Sequence, residues 1–395
     1  MSARSKKSHP QSTAAISHAH VHDATTVSTI AHFSPDASLF ALLTLAIDKH
    51  RIRIFDASTG SPIVEHTLDA RATTAQWLTL GLAVEGAHGT TAIPMKKRKK
   101  AVAAAAEELQ SPRHPLLCVG LSNGTIVLFS AKQSRIFRTL SHPSCLSPIR
   151  AVSTSSRPSQ IWSSCDDGTL RLWNAVTNEL LGSWKAEGIP YSALAPRPGQ
   201  EDGDENEILV ANHTMRLLSV RTSKSVIETE KPAERASFTG HASNVLHLEW
   251  DASHPSRFIS TAAEDRVVNL WRMPSPPSTQ GSMTANIPLD SVARQASISS
   301  SASKSTLLTV SASGKVSLFE LPSDTKSKVA TLTPQTTITT PSKKGGEDVT
   351  VVAACFLEQP GRVRVARLKG GLKPIFDDVV RECIFCSDIQ ADSMQ

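Results

Sequence analysis

A chain of 395 residues with 39% hydrophobic and 20% charged residues holds apolar material for a sizeable core, which excludes wholesale disorder. Forty-two lysines and arginines against 36 aspartates and glutamates leave a formal charge of +6, a mild basic bias that suits a polyanionic partner without establishing one. The longest nearly apolar run, Leu39 to Ile47, includes Thr44 and falls far short of the roughly 20 residues a membrane-crossing helix needs, and Met1 to Pro10 leads into polar residues without the apolar block of a secretory signal.

Along the chain, residues 1–17 read as a disordered tail. His18, His20 and His22 share one face if extended but sit in the leading tail, so no metal site is expected there. The run Leu39 to Leu45 has strand character and leads into Asp48–Phe55, the first occurrence of a recurring phrase: a turn residue, usually a glycine next, then alternating apolar positions that close on a large apolar residue. Residues 81–115 look unlike strands. They carry Lys96, Lys97, Arg98, Lys99 and Lys100 followed by the alanine-rich Ala101 to Glu108, and read as a surface insertion whose cations suit nuclear import or contact with a polyanion. The phrase then recurs at Asn123–Phe129, Asp167–Trp173, Asn212–Leu218, Asp265–Trp271, Ser313–Phe319 and Gly370–Phe376, with Ser- and Pro-rich residues 273–304 and Thr-, Ser- and Lys-rich residues 322–348 read as two further insertions.

A β-rich run precedes the phrase, as at Leu116 to Val119, Ile208 to Val210 and Phe258 to Ala262, so strand, tight turn, strand is the repeated unit. The closing residues Phe129, Trp173 and Leu218 are 44 and 45 residues apart, the spacing of one propeller blade. Seven units predict an all-β fold, a single seven-bladed β-propeller over residues 18–380, with 381–395 as a C-terminal tail. The last unit departs most from the phrase, since Lys373 and Pro374 stand where apolar residues are expected, and Pro374 demands an edge or strand-start position.

Cys118, Cys145, Cys165, Cys355, Cys383 and Cys386 lack the dense spacing of a secreted framework and read as free thiols in a reducing compartment; the lone Cys383-Ile-Phe-Cys386 has no second pair to complete a zinc site. No Walker loop, dinucleotide glycine fingerprint or zincin helix is present, and Lys343-Lys-Gly-Gly346 lacks the required spacing. Neither enzymatic activity, a small-molecule substrate nor a cofactor is therefore expected.

One constellation imitates an active site. His241, the hydroxyl pair Ser260-Thr261, Asp265 and Trp271 recur in the third unit as His142, Ser163, Asp167 and Trp173, and a catalytic triad seldom duplicates itself within one chain. The spacing resembles the WD-repeat signature. That resemblance implies two structural tetrads, His241/Thr261/Asp265/Trp271 and His142/Ser163/Asp167/Trp173, in which buried polar groups satisfy one another.

Two longer segments, Ala31 to Leu43 running on to Ile47–Asp56, and Arg367 to Phe376, resemble the WD-repeat subunits of the small-subunit processome, the family of the fifth U-three protein. The resemblance implies a nucleolar scaffold that works with other propeller and helical-repeat proteins on the 5′ external transcribed spacer of pre-ribosomal RNA. That family continues into a helical C-terminal domain, which is expected to be absent here. The competing expectation is a generic WD-repeat adaptor, such as a ubiquitin-ligase substrate receptor or a chromatin-complex subunit. Arg362, Arg364 and Lys369 join Lys96 to Lys100 as candidate RNA contacts, because alternation with Val363 and Val365 puts Arg362 and Arg364 on one strand face.

Overall fold

Short runs of alternating apolar residues, separated by tight turns, pair with their sequence neighbours as antiparallel hairpins. The computed structural model describes residues 29–45, 50–79, 115–155, 157, 159–185, 189–199, 205–221, 232–300, 304–322, 329–338, 349–359, 361–370 and 373–380, and these form seven sheets.

Blade one is β1 (Thr29–Phe33), β2 (Leu39–Thr44), β3 (Arg51–Asp56) and β4 (Pro62–Thr67). Blade two is β5 (Ala72–Thr79), β6 (Pro115–Leu121), β7 (Ile126–Ser130) and β8 (Arg135–Leu140). Blade three is β9 (Ile149–Thr154), β10 (Gln160–Cys165), β11 (Thr169–Asn174) and β12 (Glu179–Lys185). Blade four is β13 (Ala193–Pro196), β14 (Glu205–Ala211), β15 (Met215–Arg221) and β16 (Ala233–Phe238). Blade five is β17 (Val245–Trp250), β18 (Arg257–Ala262), β19 (Val267–Arg272) and β20 (Ser282–Pro288). Blade six begins with β21 (Ala293–Ser300), β22 (Ser305–Ser311) and β23 (Val316–Leu321). The chain then lays β24 (Ala330–Thr331) parallel to β20, back in blade five, before β25 (Thr336–Ile338) completes blade six against β23. Blade seven is β26 (Val349–Phe356), β27 (Arg362–Lys369) and β28 (Lys373–Val380).

The closing residue of every phrase lies on the third strand of its sheet. In blades one to five the pairing between third and fourth strands shifts register immediately before that residue, at Phe55, Phe129, Trp173, Leu218 and Trp271. A bulge bends and twists a strand, so the closing side chain sits where the outer strand turns away.

The third strands are buried on both faces: all five residues of β7 are buried, as are the four central residues of β11 and of β19. That burial needs a neighbour on each side. Seven apolar clusters meet the need, each shared by two consecutive blades. Strand β2 shows how alternation serves both seams, sending Ala41 and Leu43 toward blade two and Phe40 and Leu42 toward blade seven. The innermost strands touch in cyclic order, β1 to β5, β9, β13, β17, β21, β26 and back to β1. Polar links reinforce them. Trp77 Nε1 donates to the His32 carbonyl at 2.9 Å, Trp250 Nε1 to the Ala195 carbonyl at 2.9 Å, and the Gln295 amide exchanges two hydrogen bonds with the Ala354 backbone.

Two expectations about the chain's layout change. Residues 273–304 are not an insertion, since they contain β20 and β21; small and hydroxylated residues such as Thr284, Ala285, Ala293 and Ala296 pack there because facing blades cover them. Residues 322–348 include β24 and β25, two short outer strands. Of the insertion at 81–115 only Pro115, the first residue of β6, is described; Lys96 to Lys100, the tail at 1–17, His18 to His22 and residues 381–395 lie outside the described residues.

Blade seven, the most divergent unit, has three strands among the described residues, and Pro374 is the second residue of its edge strand β28. The seam from blade seven to blade one is made by side chains. Phe33, Phe40 and Phe376 form a mutual cluster with ring centroids 5.0, 5.2 and 5.8 Å apart, while the Arg364 guanidinium holds both oxygens of Asp378 and donates to the Ala37 carbonyl at 3.1 Å. Phe40 is fully buried in this seam. Phe40→Ala is expected to lower unfolding free energy by about 3–5 kcal/mol; a loss below about 1 kcal/mol by denaturant titration would show that the ring closes without this cluster.

Candidate functional site: polar networks at two tryptophan-bearing seams

In blade five the β18–β19 hairpin brings Asp265 and Ser260 beneath the loop that enters β17. His241 in that loop places Nδ1 2.6 Å from Asp265 Oδ2 and Nε2 2.6 Å from Ser260 Oγ, and Trp271 Nε1 donates to the same Oγ at 2.7 Å. Asp265 also accepts the Ala242 N–H and the Ser243 hydroxyl, each at 3.1 Å, and the Ser243 oxygen accepts the Glu264 N–H. Asn269, itself held by Asn286, reaches His241 Nε2 at 3.4 Å. Gly240 precedes the histidine because a Cβ there would stand 2.9 Å from the Trp271 ring.

The geometry assigns the histidine tautomer: Nδ1–H donates to the carboxylate and Nε2 accepts the serine hydroxyl. Burial pushes the His241 imidazole below its ordinary value, and the hydrogen bond and charge of Asp265 only partly oppose that. Serine, histidine and aspartate thus line up in the order of a hydrolase triad, but Ser260 is fully buried and its oxygen is occupied by both Trp271 and His241. A substrate carbonyl has no approach to it. The network ties the entering loop, the hairpin and the third strand together.

The hydroxyl in this network belongs to Ser260, not to Thr261. Register explains the correction. In blade three Ser163 lies opposite Arg171, two residues before Trp173; in blade five the residue opposite Asn269, two before Trp271, is Ser260. The blade-five hairpin loop, Ala262–Val267, is one residue longer than Cys165–Thr169, so counting back from the aspartate lands one residue off and on the opposite sheet face. Counting back from the tryptophan finds the serine.

Blade three keeps half of the arrangement. Trp173 Nε1 donates to Ser163 Oγ at 2.8 Å, but His142 is turned to Ser144, 2.7 Å away, and does not join Asp167. Seven residues separate His142 from the first residue of β9, against four between His241 and the first residue of β17, and the longer loop carries the imidazole out of reach. The position four residues before β9 is Cys145. Its sulfur lies 3.1 Å from that of Cys165, and the Arg171 guanidinium donates to both sulfurs, at 3.2 and 2.8 Å, and to Asp167 at 2.9 Å. Burial alone would raise the Asp167 pKa; hydrogen bonds from Arg171 and Thr169 bring it below the usual carboxylate value.

The remaining candidate cations serve different roles. Arg362 and Lys369 are exposed at the two ends of β27, whereas Arg364 is held by Asp378 and the Ala37 carbonyl, and the neighbouring Arg367 pairs with Asp377. Arg364 is a link between blades and not a solvent-facing RNA contact.

The family model for the WD domain, G-beta repeat, matches residues 134–174 and 233–272. Each match begins at the fourth strand of one blade and ends at the third strand of the next, including the tryptophan of the network. The chain carries WD40 repeats. A chain in a crystal structure of the mitotic checkpoint complex resembles it over 90% of both chains with a TM-score of 0.57 at 12% identity, a likeness of fold alone. No curated protein matches in sequence. The WD40 propeller is typically a non-catalytic scaffold that presents surfaces to protein partners.

Ser260→Ala and Trp271→Phe are each expected to destabilise the propeller by about 1–3 kcal/mol, because each leaves a buried partner unpaired. Their double variant should cost clearly less than the sum. Additive effects in denaturant titrations would mean that the two side chains do not share a network.

A second expectation concerns acid. His32 on β1 keeps some accessible surface at the inner rim, but protein atoms crowd the ring, and this desolvation, with nearby His247, pushes its pKa down to about 4; His241 is lowered in the same direction. An imidazole with a folded-state pKa below its unfolded value of about 6.5 takes up its proton more readily in the unfolded chain. Stability present above that pH should therefore be lost as pH falls from about 6.5 toward 4. Thermal melts of the parent should show this decline, and His32→Gln should make it shallower; identical slopes would assign the decline to other groups.

Proposed function

We propose that this protein is a non-enzymatic nucleolar scaffold subunit of the small-subunit processome, acting in pre-ribosomal RNA processing and small ribosomal subunit biogenesis. The observation that carries the reading is the resemblance of two distant segments, Ala31 to Asp56 and Arg367 to Phe376, to processome WD-repeat subunits. Those segments supply Phe33, Phe40 and Phe376, which pack together at the seam between the first and last blades. The uninterrupted cations Lys96 to Lys100 support nuclear import or contact with a polyanion, and the basic net charge is consistent with a place beside RNA. The partners on this reading are other propeller and helical-repeat proteins of the processome and the 5′ external transcribed spacer, met directly or through those neighbours.

A scaffold acts by holding partners in fixed relative positions, and a ring of mutually packed blades suits that task because its surfaces move little against one another. The second reading, a generic WD-repeat adaptor, draws on the likeness to a propeller within a checkpoint complex. Affinity capture of the tagged full chain from nuclear extract, with identification of bound proteins and RNA, separates the two. Processome proteins together with pre-ribosomal RNA are expected. Recovery of a cullin adaptor or histone-modifying subunits without processome components would overturn the proposal in favour of the adaptor.

A further inference from the structure

The polar network of blade three differs from that of blade five in a way its structural role does not require. Relative to the strands, Cys145 takes the place of His241, Arg171 that of Asn269 and Cys165 that of Ala262, while the aspartate, serine and tryptophan are retained. The substitution puts two sulfurs 3.1 Å apart beneath a guanidinium that is 2% exposed and donates to both. The Nε of Arg171 is buried without a hydrogen-bond partner, so this guanidinium is held in place although it is incompletely satisfied.

We propose that Cys145 and Cys165 form a redox-active dithiol, which oxidants of the peroxide class convert to an intrachain disulfide that clamps the loop at residues 141–148 to the β10–β11 hairpin.

The two sulfurs have distinct parts. The Cys165 S–H hydrogen bond, aided by the Arg171 charge, holds the Cys145 thiol below its ordinary pKa against the effect of burial and of Asp167, whereas the same hydrogen bond together with burial pushes Cys165 up. Cys145 is therefore the attacking sulfur and Cys165 the resolving one. Both thiols are buried but their cover differs: Cys145, 3% exposed, sits in a loop beside exposed Ser144 and beside Leu146, which is 78% exposed, while Cys165 is sealed in the sheet. As a thiol, Cys145 donates to the Gly124 carbonyl at 3.2 Å, and deprotonation gives up that bond while the two bonds from Arg171 and Cys165 remain. A Cβ on Gly124 would stand 2.2 Å from the Cys145 carbonyl oxygen, so this loop is seated closely on the neighbouring blade.

The chemistry balances. The Cys145 thiolate attacks one oxygen of hydrogen peroxide, the O–O bond breaks, and hydroxide leaves and takes up the thiol proton as water, giving a sulfenic acid. The Cys165 sulfur then attacks the Cys145 sulfur, the S–O bond breaks, and the departing hydroxide takes the second thiol proton. Two thiols and one peroxide become one disulfide and two waters.

Cys118 is an internal control, because it is fully buried, its thiol is pushed up by burial, and no cation among the described residues donates to it. The purified full chain is titrated with hydrogen peroxide, denatured, alkylated and mapped by mass spectrometry. The expected result is a Cys145–Cys165 linked peptide, reversed by dithiothreitol, at doses that leave Cys118 alkylated, with Cys145 consumed at least about tenfold faster than Cys118. Cys165→Ser should stop at a sulfenic acid on Cys145 that dimedone captures, and Arg171→Met should slow Cys145 consumption by about tenfold. If Arg171→Met does not fold, the Cys165→Ser trap decides the assignment. Equal consumption of Cys145 and Cys118, or oxidation of Cys145 without linkage to Cys165 in the parent, would overturn the proposal.

Discussion

Every blade of this protein is a sheet with two apolar faces, and that constraint governs the rest of the structure. A sheet buried on one side could stand as half of a sandwich, but β7, β11 and β19 bury side chains on both sides and so need a neighbour at each. A row of such sheets always leaves two faces bare; a ring leaves none. The seven shared clusters are the consequence, and the seam between blades seven and one, where residues more than 300 positions apart meet, is the contact on which closure rests.

Once the seams are set, polar groups at the loop ends must be satisfied where blades meet. Blade five does this with a neutral histidine between a carboxylate and a serine, with the tryptophan on the same oxygen. Blade three starts from the same residues in sequence but reaches another arrangement, because three extra residues in the entering loop withdraw His142 and bring Cys145 to its position. The aspartate then finds Arg171 in place of an imidazole. Loop length, more than residue identity, decides which side chain completes the network. A chemistry of thiols replaces one of imidazole as a result.

The blades are tied to one another at their inner strands. Inner strands are bound to one another by Trp77, Trp250 and Gln295, so a partner resting on two blades meets them at a fixed separation. Such a molecule contributes to an assembly by geometry and surface chemistry, consistent with the proposed role in the processome.

The period of the chain, the number of blades and the repeated strand, tight turn, strand unit were legible in the sequence, because alternation and turn residues are local properties that the backbone obeys within a hairpin. His241, Asp265 and Trp271 were legible as partners through the resemblance of their spacing to the WD-repeat signature. The strands β20 and β21 were not, since their serines, threonines and alanines look like loop residues until facing blades cover them. Nor were the choice of Ser260 over Thr261 or the displacement of His142: both depend on one or a few residues of loop length, which alter register or reach without altering composition. Local pattern therefore carries the architecture, whereas which atoms meet at a seam depends on distances that exist only after the blades have packed.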